Sequence, residues 1–164
     1  MELSTLCQEM QQGFYIFSDD MEKMLLDLIP LKYSQKQELH YCWDSFRTLH
    51  RLELKIKPTN EFYKILWNEI LETKRLVFLA IDADCLQGGD KLILIEIEKL
   101  HLILEKYYWE LDEIYICDLK FEWLVAINHM FEFNFLGDGM IEFITNLMKD
   151  EKLDSCIITC AEYE

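Results

Sequence analysis

The spacing of apolar positions divides the chain into a helical first third and a strand-rich remainder. Leu3, Leu6, Cys7 and Met10 recur at i, i+3, i+4 and i+7, which predicts a short amphipathic helix ending near Gly13. After the apolar stretch Phe14 to Phe17, Ser18 can cap a second helix whose first turn holds Asp19 and Asp20, where carboxylates suit the positive end of the helix dipole. Its predicted buried stripe is Met21, Met24, Leu25, Leu28 and Ile29, and Pro30 is expected to end it. Ser34 with Gln37 reads as a capping box for a third helix, buried through Leu39, Cys42, Trp43, Phe46 and Leu49.

The period then changes. Leu52 to Lys57 alternates with period two, predicting a half-buried strand before Pro58. Thr59 or Asn60 caps a helix with Phe62, Ile65, Leu66 and Ile70 on one face, and Val77 to Ile81 is a continuous β-rich run closed by the polar loop Asp82 to Asp90. The stretch from Leu92 to Tyr108 mixes both periods and splits near Glu98 into a strand and a helix. Glu113 to Cys117, Trp123 to Ile127 and Phe131 to Phe135 are aromatic and β-branched runs with short connections, an antiparallel meander. Asp138 is expected to cap a last helix through Ile141, Ile144, Leu147 and Met148. Ser155 to Cys160 reads as an edge strand before a loose tail of Ala161 to Glu164. The fold class is α+β, a single domain with helices over about 1–50 and an acidic, mostly antiparallel sheet over about 51–160.

Composition adds one decisive feature. The 164 residues carry 31 Asp and Glu against 16 Lys and Arg, a net charge of −15. Residues 1–60 hold nine acids and seven bases, while residues 61–164 hold 22 acids and nine bases, so −13 of the charge belongs to the sheet-bearing part. Such a balance disfavours direct binding to nucleic acid or to an anionic membrane surface, both of which need clustered Lys and Arg. Apolar stretches are broken by charge well before the ~18 residues of a membrane span, and the stretch MELSTLCQEMQQG lacks the basic and continuous apolar segments of a secretory signal, so none is expected. The six cysteines are scattered without a Cys-x-x-Cys, and so are expected to be reduced thiols of a cytoplasmic protein, mostly buried.

In the expected strands, Glu96, Glu98, Glu113, Glu122 and Glu132 alternate with apolar residues and are expected on the sheet face opposite the core. Other acids cluster in connections: Asp82, Asp84 and Asp90; Glu110, Asp112 and Glu113; Asp150, Glu151 and Asp154. An acidic surface alone keeps an aromatic-rich protein soluble. Interleaved with aromatic residues, it also suits a basic partner, with charge guiding association and aromatic anchors supplying affinity. The partner-binding candidates are therefore Asp82, Asp84, Asp90, Glu110, Asp112 and Glu113, with Tyr107, Tyr108 and Trp109 as anchors. Trp123 is a further candidate, although its place beside Val125 and Ile127 favours core packing.

Enzyme-like constellations are few. The strand Val77 to Ile81 ending in Asp82-Ala83-Asp84 resembles the opening motif of haloacid-dehalogenase-type phosphotransferases, in which the first carboxylate attacks phosphorus and both help to hold Mg²⁺. Leu86 stands where that family has threonine, and the motif lies mid-chain instead of opening a longer doubly wound domain. His40, His50, His101 and His129 do not fall at zinc-ligand spacing with any cysteine pair, and Cys117 with His129 lacks a third group to orient them. Neither a metal nor a cofactor is expected.

The tract Leu104-Glu105-Lys106-Tyr107-Tyr108-Trp109-Glu110-Leu111-Asp112-Glu113-Ile114-Tyr115-Ile116, continuing through Lys120-Phe121-Glu122-Trp123-Leu124 to Asn128-His129, resembles a family of small uncharacterised proteins of Gram-positive bacteria. That resemblance implies a helix ending in paired tyrosines, a strand, a Lys-Phe-x-Trp turn and a second strand closing on Asn-His, within a bacterial α+β domain of no established activity. Met130 departs from the pattern, which continues with a second polar residue. In overall profile the chain is also similar to acidic immunity proteins that neutralise a toxin and to phage inhibitors of bacterial defence. The sequence is thus expected to encode a non-enzymatic inhibitor that occludes a basic toxin, nuclease or defence effector. The alternatives are a Mg²⁺-dependent phosphotransferase using Asp82 and Asp84, and a DNA mimic.

Overall fold

Alternation along a strand decides which sheet face each side chain meets, and here both faces find cover. The computed structural model describes residues 14–36, 39, 42–46, 50–57, 62, 65–66, 68, 76–81, 91–107 and 113–163. The helix expected over Leu3 to Met10 lies outside them. The strands are β1 (Phe14–Ile16), β2 (Arg51–Ile56), β3 (Leu76–Ile81), β4 (Lys91–Glu96), β5 (Glu113–Cys117), β6 (Leu124–Asn128), β7 (Glu132–Leu136) and β8 (Ile157–Tyr163). They form one sheet in the order β1-β4-β3-β5-β6-β7-β2-β8, every described pairing antiparallel. With helices α1 (Asp19–Tyr33), α2 (Ile97–Tyr107) and α3 (Asp138–Lys149), this is the expected α+β class.

One face carries Leu52, Leu54 and Ile56, Val77, Leu79 and Ile81, Ile114 and Ile116, Val125 and Ile127, and Phe133 and Phe135. These pack with Leu100, Ile103 and Leu104 of α2, with Ile141, Ile144 and Leu147 of α3, and with Phe62 and Leu66. Phe62, Ile65, Leu66 and Asn68 are helical, as the pattern after Pro58 predicts, while Ile70 lies outside the described residues. Trp123 joins this core and is buried, the fate its apolar neighbours favour.

The opposite face has a second core. Phe78, Ala80, Leu92, Tyr115, Cys117, Leu124, Ala126 and Leu136 are covered by Leu26, Ile29 and Tyr33 of α1 and by Leu39, Cys42 and Phe46. The buried side of α1 is Glu22, Leu26, Ile29, Pro30 and Tyr33; of the expected stripe Ile29 is buried and Leu25 and Leu28 pack partly on this core, while Met21 and Met24 face outward. Glu22 turns inward because its carboxylate accepts the Leu92 amide at 2.8 Å and the Lys91 ammonium at 3.3 Å. Pro30 does not end α1. It removes one amide donor only a turn before Tyr33, and that last turn is fastened elsewhere, with Lys32 Nζ and the Tyr33 hydroxyl both donating to the Phe121 carbonyl.

Where the third helix is expected to start, Ser34 to Lys36 are not helical and are bonded to Ser45 and Phe46. The Ser34 hydroxyl accepts the Lys36 amide two residues on and meets the Ser45 hydroxyl at 2.7 Å; Gln35 N–H donates to the Ser45 carbonyl, and Ser34 pairs with Phe46. A serine that bonds i+2 in this way competes with the i+3 bond of a helix cap. Among the described residues of that stretch, Cys42–Ser45 is a helical turn, of the 3-10 type; Gln37 and Leu49 lie outside the described residues.

The meander β5-β6-β7 turns twice by the same device. The carboxylate of Asp118 accepts the amides of Lys120, Glu122 and Trp123, and the amide oxygen of Asn128 accepts those of Met130 and Glu132. In each turn the third residue on, Phe121 or Phe131, is left-handed, at φ 55° and 60°. That position usually takes glycine, because a Cβ crowds the backbone there. Burial offsets the strain: Phe121 stacks on Phe78 at 5.3 Å, and Phe131 packs on the larger core. Asp118-Leu-Lys-Phe-Glu and Asn128-His-Met-Phe-Glu are thus a short repeat that periodicity does not reveal.

The tail expected to be loose is ordered strand through Tyr163. β8 pairs with β2 from Ile157 to Tyr163, with a register shift at Lys55/Ile56. Among the described residues, no helix is long and apolar enough to cross a membrane.

Candidate functional site

A cleft of about 390 Å³ opens at one end of the sheet, lined by Lys32, Tyr33, His50, Glu122, Gly137 and Asp138. Each wall follows from a local feature. The end of α1 is held by the Phe121 carbonyl, and the turn that aims this carbonyl is fixed by Asp118. Gly137, at φ 97°, lets the chain leave β7 and enter α3 directly against the Glu122 carbonyl, which a Cβ there would approach to 2.5 Å. Gly137 is also the N-cap of α3; Asp138, expected in that role, is the first helical residue.

His50, just before β2, sits between two carboxylates. Its Nε2 lies 2.6 Å from Glu162 of β8 and its Nδ1 lies 3.7 Å from Asp138. The hydrogen bond to Glu162 is the main reason the imidazole is held protonated above its ordinary pKa of about 6.5, with Asp138 adding to it. The folded-state pKa is raised, so any stability this pairing adds is present below the unfolded value and fades as pH rises through the folded one. A proton-detected titration is expected to find His50 titrating above ~6.5, and Glu162→Gln should bring it down; an unshifted imidazole in the parent chain would contradict the pairing. Beside this site the Arg51 guanidinium lies 4.0 Å over the Tyr163 ring, a cation–π contact that seats the end of β8.

Chemically, the cleft presents side chains that are already engaged. The Lys32 amine and Tyr33 hydroxyl share one carbonyl, and burial raises the Tyr33 phenol far above its normal range, so it is no base near neutrality. No group of three His, Cys, Asp or Glu among the described residues is placed to hold a metal ion. Cys42, Cys117 and Cys156 are buried free thiols and Cys160 is exposed. Burial pushes Cys42 up to about 11 and Cys117 higher, which removes both as nucleophiles. Cys117 and the turn carrying His129 lie at opposite ends of the β5-β6 hairpin, where Cys117 pairs with Leu124 and Glu113 with Asn128.

Of the residues singled out in the sequence, Asp82, Asp84, Asp90, Tyr108, Trp109, Glu110 and Asp112 lie outside the described residues, and Tyr107 is described only as the last helical residue of α2. Glu113, expected on an exposed face, is instead 1% exposed. The 34–46 loop covers the sheet there: Trp43 Nε1 donates to Glu113 Oε1 at 2.5 Å, and the Tyr115 hydroxyl meets Oε2 at 2.9 Å. Glu132 is half-buried, takes the Asn128 amide and lies 3.6 Å from Lys55 Nζ. Glu98 and Glu122 are exposed, and Glu96 is intermediate. β3, the strand before Asp82, runs antiparallel to both neighbours, unlike the parallel strands of a doubly wound phosphotransferase. The cleft residues His50 and Asp138, and Glu162 that pairs with His50, carry no motif; the topology brings them together.

Fold and site together define a small acidic α+β protein with one antiparallel sheet covered by helices or loop on both faces. Residues 6–148 match the family of unknown function DUF6756, and the chain belongs to that family. No curated protein and no solved structure matches it.

Proposed function

We propose that this protein is a non-enzymatic, cytoplasmic binding protein that occludes the functional surface of a basic partner, in the manner of an immunity or anti-defence inhibitor. The observation that carries the reading is the placement of acids on α3 and the turn after it. Asp138, Glu142, Asp150, Glu151 and Asp154 are all exposed, with Lys149 and Lys152 the cations of that stretch. A surface of one dominant sign attracts an oppositely charged partner at long range, and this attraction weakens with salt.

The test is capture from cell extract on the immobilised full chain, beside a Glu142→Lys/Asp150→Lys/Asp154→Lys variant. The reading expects the parent chain to retain basic proteins at low salt and release them as salt rises, with retention largely lost in the variant. Retention indifferent to both salt and charge reversal would reject it. Asp82, Asp84 and Asp90 form a second charge-reversal set, whereas Glu113 is unsuited to such a test because its reversal would bury a charge of the wrong sign.

A further inference from the structure

Five of the ten large apolar residues exposed among those described lie between residues 15 and 31: Tyr15 at 58%, Ile16 at 45%, Met21 at 46%, Met24 at 57% and Leu31 at 64%. The last three, with the half-buried Leu28, are spaced three, four and three apart along α1. At about 100° per residue they occupy an arc of about 80° on nearly the opposite side of the helix from Leu26, Ile29 and Tyr33. α1 is therefore apolar on two sides, one seated on the sheet and one facing out. A helix patterned in this way normally belongs between two layers, and an exposed apolar stripe of this kind marks an interaction site.

The flanks of the stripe state what chemistry would cover it. Asp20 and Asp27, both exposed, border its length on one side. On the other side Lys32 directs its amine to the Phe121 carbonyl of its own chain, and Lys23 lies beyond the two aspartates, away from the stripe. The 3-4-3 spacing matches the seam of a packed helix pair, and methionines at its first two positions adapt to a partner's shape. A second copy of the chain would bring another −15 with it and set like charges beside like.

We propose that the outer face of α1 is the docking surface for an amphipathic helix of the partner protein, with its apolar ridge on Met21, Met24, Leu28 and Leu31 and Lys or Arg beside Asp20 and Asp27. This rests on the reading of the protein as a binder of a basic partner and names the element that grips it. Apolar contact gives the complex its lifetime, and the aspartates set the helix's orientation and its charge preference.

The probe is a synthetic three-heptad peptide with Leu at the a and d positions and Lys at the flanking e and g positions, titrated into the full chain; a Glu-flanked version serves as control. One-to-one binding is expected, weakened about tenfold or more by Met24→Lys or Leu31→Lys and made less salt-dependent by Asp20→Asn/Asp27→Asn, with the Glu-flanked peptide binding far less well. Both lysine variants replace exposed side chains, so their unfolding midpoints should match the parent's; a clear drop would mean that the face is covered by the chain's own residues and would overturn the proposal. Undiminished binding to Met24→Lys and Leu31→Lys would place the peptide on another acidic surface, overturning this site while leaving the basic-partner reading intact. Equal binding of the two peptides would remove the charge preference. A dimer in solution that Met24→Lys dissociates would assign the face to a second copy instead.

Discussion

Glu113→Ala is expected to destabilise the fold by about 3 kcal/mol in urea unfolding, among the largest effects of any single polar residue described here. The carboxylate lies under the 34–46 loop and accepts the indole N–H of Trp43. Removing it leaves that donor without this acceptor and opens a cavity beside Tyr115, whose hydroxyl also bonds the Leu39 carbonyl at 3.1 Å. Glu113→Gln keeps the volume and an acceptor and should lose about half as much. Trp43→Phe with Glu113→Leu removes donor and acceptor together, so the pair should lose distinctly less than the two single changes added. Strict additivity would show that the contact does not hold the loop to the sheet.

Gly137→Ala is expected to match it, at about 3 kcal/mol, through backbone geometry instead of lost bonding. At φ 97° a Cβ is strained in itself, and this one would meet the Glu122 carbonyl at 2.5 Å and Trp123 Cα at 3.0 Å, backbone that cannot step aside without disturbing the Asp118 turn. Gly139, two residues on and inside α3, is the control. Nothing lies within 4 Å of its notional Cβ, so Gly139→Ala should be neutral or stabilising by up to about 1 kcal/mol. Similar thermal shifts for the two alanines would refute the close approach. The Gly137 variant should also move Glu122 and Asp138, two walls of the cleft, and with them the His50 titration.

The strands were legible because most carry their own period. Leu52, Leu54 and Ile56 alternate in sequence and in burial, and the split of residues 92–108 near Glu98 falls where β4 passes into α2 at Glu96/Ile97. The errors arise where one periodicity fits two outcomes. α1 has apolar residues on both sides, so the choice between Met21–Met24 and Leu26–Ile29 depends on which side meets the sheet, and Glu22 decides it through the Leu92 amide. Alternation correctly puts Glu113 on the face opposite the larger core, but it cannot reveal that a loop 70 residues earlier in sequence closes over that face. His50, Asp138 and Glu162 are remote in the chain, and the polar pattern of Ala161 to Glu164 gives no sign that Glu162 lies in a strand paired with β2. The acidic character of the surface, by contrast, needs only counting.

β2 lies between β7 and β8, strands that follow it by some 80 and 100 residues in the chain. As the polypeptide leaves the ribosome, Arg51 to Ile56 is made well before either of its hydrogen-bonding neighbours, Glu132 to Leu136 and Ile157 to Tyr163. During that interval Leu52, Leu54 and Ile56 belong to an unpaired strand of the kind that associates with other chains. The long loops closed by these pairings also slow folding. A chain cut back before Ile157 would therefore keep one side of β2 open.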